Sequence, residues 1–447
     1  MADLIEYVRW RGDLSFRERP FNDVDNLIFS QIVYHSFDGI VPGTDTKGKI
    51  SIKEAVKQYL NHPDAGGFPG LDQERNDEFL KLAAESVRFG MVEMSDYVNV
   101  VFNEQDGRRT QFCALVYHLP DRSKYIAFRG TDSTIVGWRE DFMISYKETD
   151  AQQQALAYTK QMLKKYRRHK TVWRVGGHSK GGNLAVYSFA GLDQSLQDKF
   201  CAFYNNDGPG FDPEVFGSIE QDVREKMLSR YHKFVTTYDV IGMLFAEKEV
   251  RENPEEQPWL TIVASSAKGL MQHWMLTWQV LPDGFETRDK LENGAQAIGD
   301  VLDRWVHSAS LEEREAFIST LFDAIEKEGS DIVEALSDAK RTAKDVIREL
   351  MNGNHKTRDM SRKLIAILGA KASQQLGGSA LNVAETAFSA VKKGTLQLQS
   401  LAGKVRFPKA YPKRKTGKCQ RLQRPPKVNR RRRKKTAQRG RHVDDIL

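Results

Sequence analysis

Hydrophobic positions in this chain recur with two different periods, and the change between them divides it into regions. As far as about residue 90, apolar residues return at helical spacing, predicting helices over Asp23 to His35, Ile52 to Leu60 and Asp77 to Ser86. Short runs rich in β-branched and aromatic residues follow: "YVNVVFNE", "QFCALVYHL" and "KYIAFRG". The first two are separated by "QDGRR", whose Asp106-Gly107 predicts a hairpin turn. Beyond residue 150 helix and strand alternate. Helices are expected over Ala151 to Tyr166, Asn183 to Ala190 and Pro213 to Leu228, and strands over Val172 to Val175, "CAFYNND" and "HKFVTTYD". Such alternation predicts an α/β fold with a mainly parallel central sheet and helices on both faces. The strand signal stops at about residue 284. Ser310-Leu311-Glu312-Glu313 forms a capping box opening a helix to about Glu328, with further helical runs near Asp331 to Met351 and Lys363 to Leu401.

Composition changes this picture in one place. The 40% hydrophobic and 29% charged residues are those of a soluble globular protein, and no apolar run reaches the roughly 20 residues that span a bilayer. Yet eighteen Lys and Arg face only Asp444 and Asp445 from Gly403 onward, so a +16 tail follows a body of −8 in a chain of net +8. Three regions are therefore expected: 1–285 as an α/β domain, 286–402 as a helical region, and 403–447 as a disordered basic tail. The tail's charge suits an anionic membrane surface or nucleic-acid phosphates equally, or it has no partner at all. Cys113, Cys201 and Cys419 lie far apart and are expected to be reduced thiols. The charged start "MADLIEYVRWRGD" does not resemble a secretory signal, so the expected location is the cytoplasm, with a peripheral membrane position open.

The candidate chemistry centres on "VWRVGGHSKGGNLAVY". Gly177-His178-Ser179-Lys180-Gly181 is a G-x-S-x-G between a predicted strand and a predicted helix, the context of a nucleophile elbow. Glycines there let the chain turn sharply at the serine, and the helix N-terminus favours an oxyanion. A serine nucleophile needs a base and an acid. His273, in "MQHWMLTWQV", is the candidate base; the other reading is a half-buried histidine on an aromatic helix face. Asp239, closing "HKFVTTYD", is the preferred acid, because ligands and chemistry gather at the carboxyl ends of strands in such sheets. Asp207 is the alternative acid, read in preference as a turn-former before Gly208-Pro209-Gly210. His178, adjacent to the serine, is expected to form a wall of the site.

The oxyanion is expected to sit on the backbone amides of Thr131 and Lys180, with Gly130 admitting the substrate and Trp138 and Asp141 supporting the loop "FRGTDSTIVGWREDF". The Lys180 side chain has two readings: recognition of an anionic head group, or, preferred, a stem lying on the helix with its charge in solvent. No phosphate loop, metal-ligand cluster or nucleotide fingerprint is present, so neither a cofactor nor a metal is expected.

Together "FRGTDSTIVGWREDF", "GGHSKGGNLA", "TTYDVIGML" and "QHWMLTW" resemble the class 3 (fungal-type) lipases over roughly residues 90 to 285. With the N-terminal "YVRWRGDLSFRERPFNDVDNLIFSQIVY", the chain is similar to a bacterial lipase-like family of unknown function, the Mbeg-like proteins. The resemblance implies an α/β-hydrolase fold and a triad of Ser179, Asp239 and His273, with Thr131 beside the oxyanion. Departures are Lys180 and Asn183 in place of leucine and alanine, and Val136-Gly137-Trp138 in the oxyanion loop. The expected function is a serine esterase or lipase-like hydrolase acting on a lipid or other acyl ester. The alternative is a non-catalytic lipase-like scaffold whose helices and tail bind membrane, nucleic acid or protein.

Overall fold

The computed structural model describes residues 2–61, 72–103, 109–131, 143–144, 147–167, 171–217, 219, 225, 229–239, 242–243, 250, 253–292, 309–326, 355 and 359. The expectations for the Asp106-Gly107 turn, Trp138, Asp141, the helices near 331–351 and 363–401, Cys419 and the basic tail fall outside the described residues. The chain divides into two units, Met1–Val405 and Arg406–Leu447, and the second lies wholly outside them. No helix among the described residues is long and apolar enough to cross a membrane.

A mixed nine-stranded sheet organises the first unit. Its strands are β1 (Ile50–Ser51), β2 (Glu93–Asn103), β3 (Arg109–His118), β4 (Lys124–Phe128), β5 (Trp173–His178), β6 (Phe200–Asn206), β7 (Tyr231–Thr236) and β8 (Leu260–Val263), with β11 (Thr287–Arg288) at the far edge. A small hairpin of β9 (Val280–Leu281) and β10 (Gly284–Phe285) stands apart from it. From β4 to β8 all pairings are parallel; β1 to β4 pair antiparallel, as does β11 with β8. The strands of the alternating region, β5 to β8, thus pair in parallel as predicted, and antiparallel pairing is confined to β1–β4 and to β11. The connections 104–108 and 119–123 are too short for a crossover, so β2, β3 and β4 can only meander.

Both faces are covered, and the period-2 pattern decides which side chain faces where. On β3, Phe112, Ala114 and Val116 join a core formed with α5 (Asp150–Lys165) and α6 (Lys180–Ala190). Cys113, Leu115 and Tyr117 face the opposite way, into a core built with α1 (Leu4–Arg11), α2 (Asp23–Ile32), α3 (Ile52–Asn61) and α4 (Gln73–Glu85). Local signals set the helix starts. Asn22 and Asp25 exchange side-chain and backbone bonds as a capping box on α2, and Thr149 with Gln152 does the same on α5. The box predicted at Ser310 forms too: Glu313 N–H donates to Ser310 Oγ at 3.3 Å, and Ser310 N–H to Glu313 Oε2 at 2.9 Å. That helix runs Leu311–Glu326, and its buried Arg314 pairs with Asp212 at 2.5 Å.

β5, β6 and β7 lie side by side, all pointing the same way. Their carboxyl ends lead directly to Ser179, Asp207 and Asp239.

Candidate active site

Ser179 sits between β5 and α6 with φ 56° and ψ −127°, a region that a residue with a Cβ enters only when its surroundings force it. Two kinds of contact do so. Its N–H donates to Asn206 O at 2.9 Å, continuing the ladder to β6, while its carbonyl accepts the N–H of Gly182 at 2.9 Å to start the helix. The flanking glycines allow strand and helix to approach each other. A Cβ on Gly177 would lie 2.5 Å from the carbonyl carbon of Gly181, and one on Gly181 would lie 2.2 Å from Phe128 O. The G-x-S-x-G spacing is therefore the packing requirement of the turn itself.

His273 reaches the serine from a 3₁₀ turn, Gly269–His273, and not from a helix face. Its Nε2 lies 3.0 Å from Ser179 Oγ and its Nδ1 lies 2.6 Å from Asp207 Oδ2. A carboxylate on Nδ1 requires the proton on that nitrogen, which leaves the Nε2 lone pair for the serine hydroxyl. Ser179 is 5% exposed and Asp207 1%.

This arrangement corrects the preference for Asp239. The carboxylate on His273 is Asp207, the residue read from sequence as a turn-former. It also forms a turn, at φ 55°, and its N–H donates to Phe234 O at 2.7 Å. Asp239 lies behind it, with Oδ1 accepting the N–H of Gly242 at 2.8 Å.

Neighbouring side chains hold Ser179, His273 and Asp207 in place. His178 is 5% exposed and spans two segments: Tyr34 Oη donates to its Nδ1 at 2.8 Å, and its Nε2 donates to the carbonyl of His273 at 2.9 Å. Burial first, and the adjacent His273 ring second, hold its pKa well below the ordinary imidazole value, so it is neutral. His178 is thus a clamp between Tyr34 and the His273 backbone. Gln272, immediately before His273, accepts from Thr237 Oγ1 and from Tyr238 N–H, each at 2.9 Å. Trp278 Nε1 donates to its carbonyl at 3.0 Å. Asn183 receives Gln152 Nε2 at 2.9 Å and donates to Pro209 O at 3.0 Å, holding the loop after Asp207. Sequence reading missed Tyr34, Gln152, Gln272 and Asn183 as supports. Only Gln272 carried a signal, its place beside the candidate base.

Tyr34→Phe removes the donor to a buried ring nitrogen, so a loss of about 1–3 kcal/mol of stability is expected, measured by urea unfolding near neutral pH. An unchanged midpoint would mean that the clamp contributes nothing.

Lys180 departs from both of its readings. Its side chain is buried, with Nζ donating to Gln111 O of β3 at 2.9 Å, so it neither faces a head group nor lies in solvent. As the first residue of α6, its backbone N–H is at the helix start beside Ser179. Gly130 opens the loop after β4 against the elbow, where a Cβ would lie 2.0 Å from Tyr34 Oη and 2.5 Å from His178 O. The space it leaves is filled by the protein, not by substrate. Thr131 follows it, and the rest of that loop lies outside the described residues.

On distance alone His178, Asp207 and His273 form a group able to hold a metal, their ligand atoms lying within 4.8 Å of one another. Their hydrogen bonds argue otherwise. Both ring nitrogens of His178 and both of His273 are engaged, and Asp207 Oδ2 is already bound to His273.

Neither a curated protein nor a solved structure matches the chain significantly. A family model described as Mbeg1-like matches residues 83–323, more than half of the 447 residues, and spans Ser179, Asp207, Asp239 and His273. The chain belongs to the Mbeg1-like family, a lipase-like α/β-hydrolase family.

Proposed function

We propose that this chain is a serine hydrolase that cleaves a lipid or other acyl ester. The observation that carries the reading is the continuous chain of hydrogen bonds from Ser179 through His273 to Asp207. In this reading Ser179 Oγ attacks the ester carbonyl while His273 Nε2 takes its proton. His273 then returns the proton to the leaving alcohol, giving an acyl-enzyme, and activates water to release the acid. Asp207 holds the imidazole tautomer and offsets the imidazolium charge. The amides of Lys180 and Thr131 receive the oxyanion, helped by the positive end of α6.

The test is labelling with a fluorophosphonate probe. The intact chain is expected to label, and Ser179→Ala and His273→Ala to abolish labelling. Folded wild type that stays unlabelled would overturn the reading and leave a lipase-like scaffold, with the basic tail as its binding element.

A further inference from the structure

β6 and β7 are parallel neighbours, and each carries an aspartate just past its carboxyl end. One oxygen of each has a partner: Asp207 Oδ2 holds His273, and Asp239 Oδ1 holds the Gly242 N–H. The other two, Asp207 Oδ1 and Asp239 Oδ2, are buried with no conventional partner. They converge on one spot. A Cβ built on Gly242 would lie 2.6 Å from Asp207 Oδ1 and 2.7 Å from Asp239 Oδ2. The two carboxyls are within hydrogen-bonding reach of each other; both bare and shielded from water they repel strongly, whereas a single proton satisfies both oxygens.

We propose that Asp207 and Asp239 share one proton in a carboxyl–carboxylate hydrogen bond, which makes Asp239 a positioning residue for the carboxylate on His273. The shared proton stands independently of any activity; the positioning role rests on the serine hydrolase reading above. Asp239 holds the proton. Asp207 must accept from His273 Nδ1, while Asp239 faces only a backbone donor. Among the described residues, the charged and titratable groups around the pair are His273 from the 3₁₀ turn, His178 from β5, which is neutral, and Lys233 from β7, and Lys233 favours a single negative charge on Asp207. Burial raises both carboxyls. For Asp239 the charge of Asp207 adds to the rise, whereas the bond from Asp239 draws Asp207 back down. With Oδ1 held, Oδ2 of Asp207 has one direction left, toward the base.

Two variants test the positioning role. Asp239→Leu removes the donor and is expected to slow fluorophosphonate labelling roughly 10- to 100-fold at neutral pH. It should also move the acid limb of the rate–pH profile to higher pH, since the Asp207 carboxylate loses its hydrogen bond. Asp239→Asn keeps a donor and should restore most of the rate and the position of the limb. Equal slowing by both variants, with the limb unmoved, would overturn the positioning role.

The shared proton has its own readout, independent of activity. A native chain that keeps a proton on Asp239 loses stability relative to Asp239→Asn as pH rises from about 4, because the unfolded aspartate ionises there. Thermal melts of the two proteins from acid to neutral pH should therefore diverge, the asparagine variant gaining. A gap that does not change with pH would overturn the shared proton. A diverging gap in a chain that does not label would remove the hydrolase reading and leave the shared proton standing.

Discussion

Asp207→Asn is expected to lower turnover of a short-chain p-nitrophenyl ester by about 10⁴-fold, mostly in kcat, while the protein stays folded. The fold should survive because asparagine is among the few residues that accept the left-handed conformation in which Asp207 sits, at φ 55°. The site should not survive, for two reasons. The negative charge that offsets the imidazolium disappears. In addition, a protonated Asp239 donates to the new amide oxygen, which turns the amide NH₂ toward His273 Nδ1. That nitrogen must then accept, its proton moves to Nε2, and the serine faces a donor where it needs an acceptor. A loss of only a fewfold would show that Asp207 is not the orienting acid and would return that role to Asp239.

The choice between those acids shows where sequence reading stops. Both lie at the carboxyl ends of adjacent parallel strands, and strand order allows either. Which one reaches His273 depends on a φ angle at Asp207 and on the course of the Gly269–His273 turn, and neither leaves a mark in residue spacing. The elbow was legible because its chemistry is local: two glycines, a serine and a strand-to-helix switch within a few residues. So were β2 to β7, whose β-branched and aromatic runs are long enough to carry a period. β8, the four residues Leu260–Val263, and the two-residue strands β9 to β11 are too short to show one. The direction of Lys180 was hidden for a related reason, since its partner is a backbone carbonyl of β3, a strand far away in sequence.

Residue types alone would also have misled elsewhere. Ser95, His118 and Asp96 lie together at the β2–β3 edge, with His118 Nε2 at 2.7 Å from Ser95 Oγ. The protons there run the other way. Lys124 Nζ lies 3.1 Å from His118 Nδ1, so that nitrogen accepts and Nε2 donates to the serine. Ser95 in turn donates to Asp96 Oδ2 at 2.5 Å. Burial, reinforced by Lys124, Lys49 and Lys165, pushes the His118 pKa down to about 3. This serine passes its proton to an acid and has no base. The trio pins the bulge where Asp96 adopts φ 59°, and Lys165 closes on the same carboxylate at 2.5 Å.

Arg88→Met is expected to cost about 3–5 kcal/mol of stability, seen as a lower urea midpoint. Arg88 follows α4, and its guanidinium uses all five N–H groups. Nε and Nη2 donate to the two oxygens of Asp25 at 2.7 and 2.5 Å, and the rest reach the carbonyls of Leu14, Arg19 and Pro20 at 3.0 to 3.2 Å. The ring of Phe16 lies 4.1 Å from its central carbon. Methionine fills much of the volume but leaves Asp25, fully buried, with no cation bonded to it, and that stranded charge is the larger part of the cost. Asp25 also caps α2, the helix that carries Asn26 against Asn206 and leads to Tyr34 on His178. The loss should therefore reach the site: fluorophosphonate labelling of Arg88→Met should slow even at temperatures where the chain remains folded. A variant that melts early yet labels at the wild-type rate would mean that the N-terminal helices stabilise the sheet without positioning the elbow.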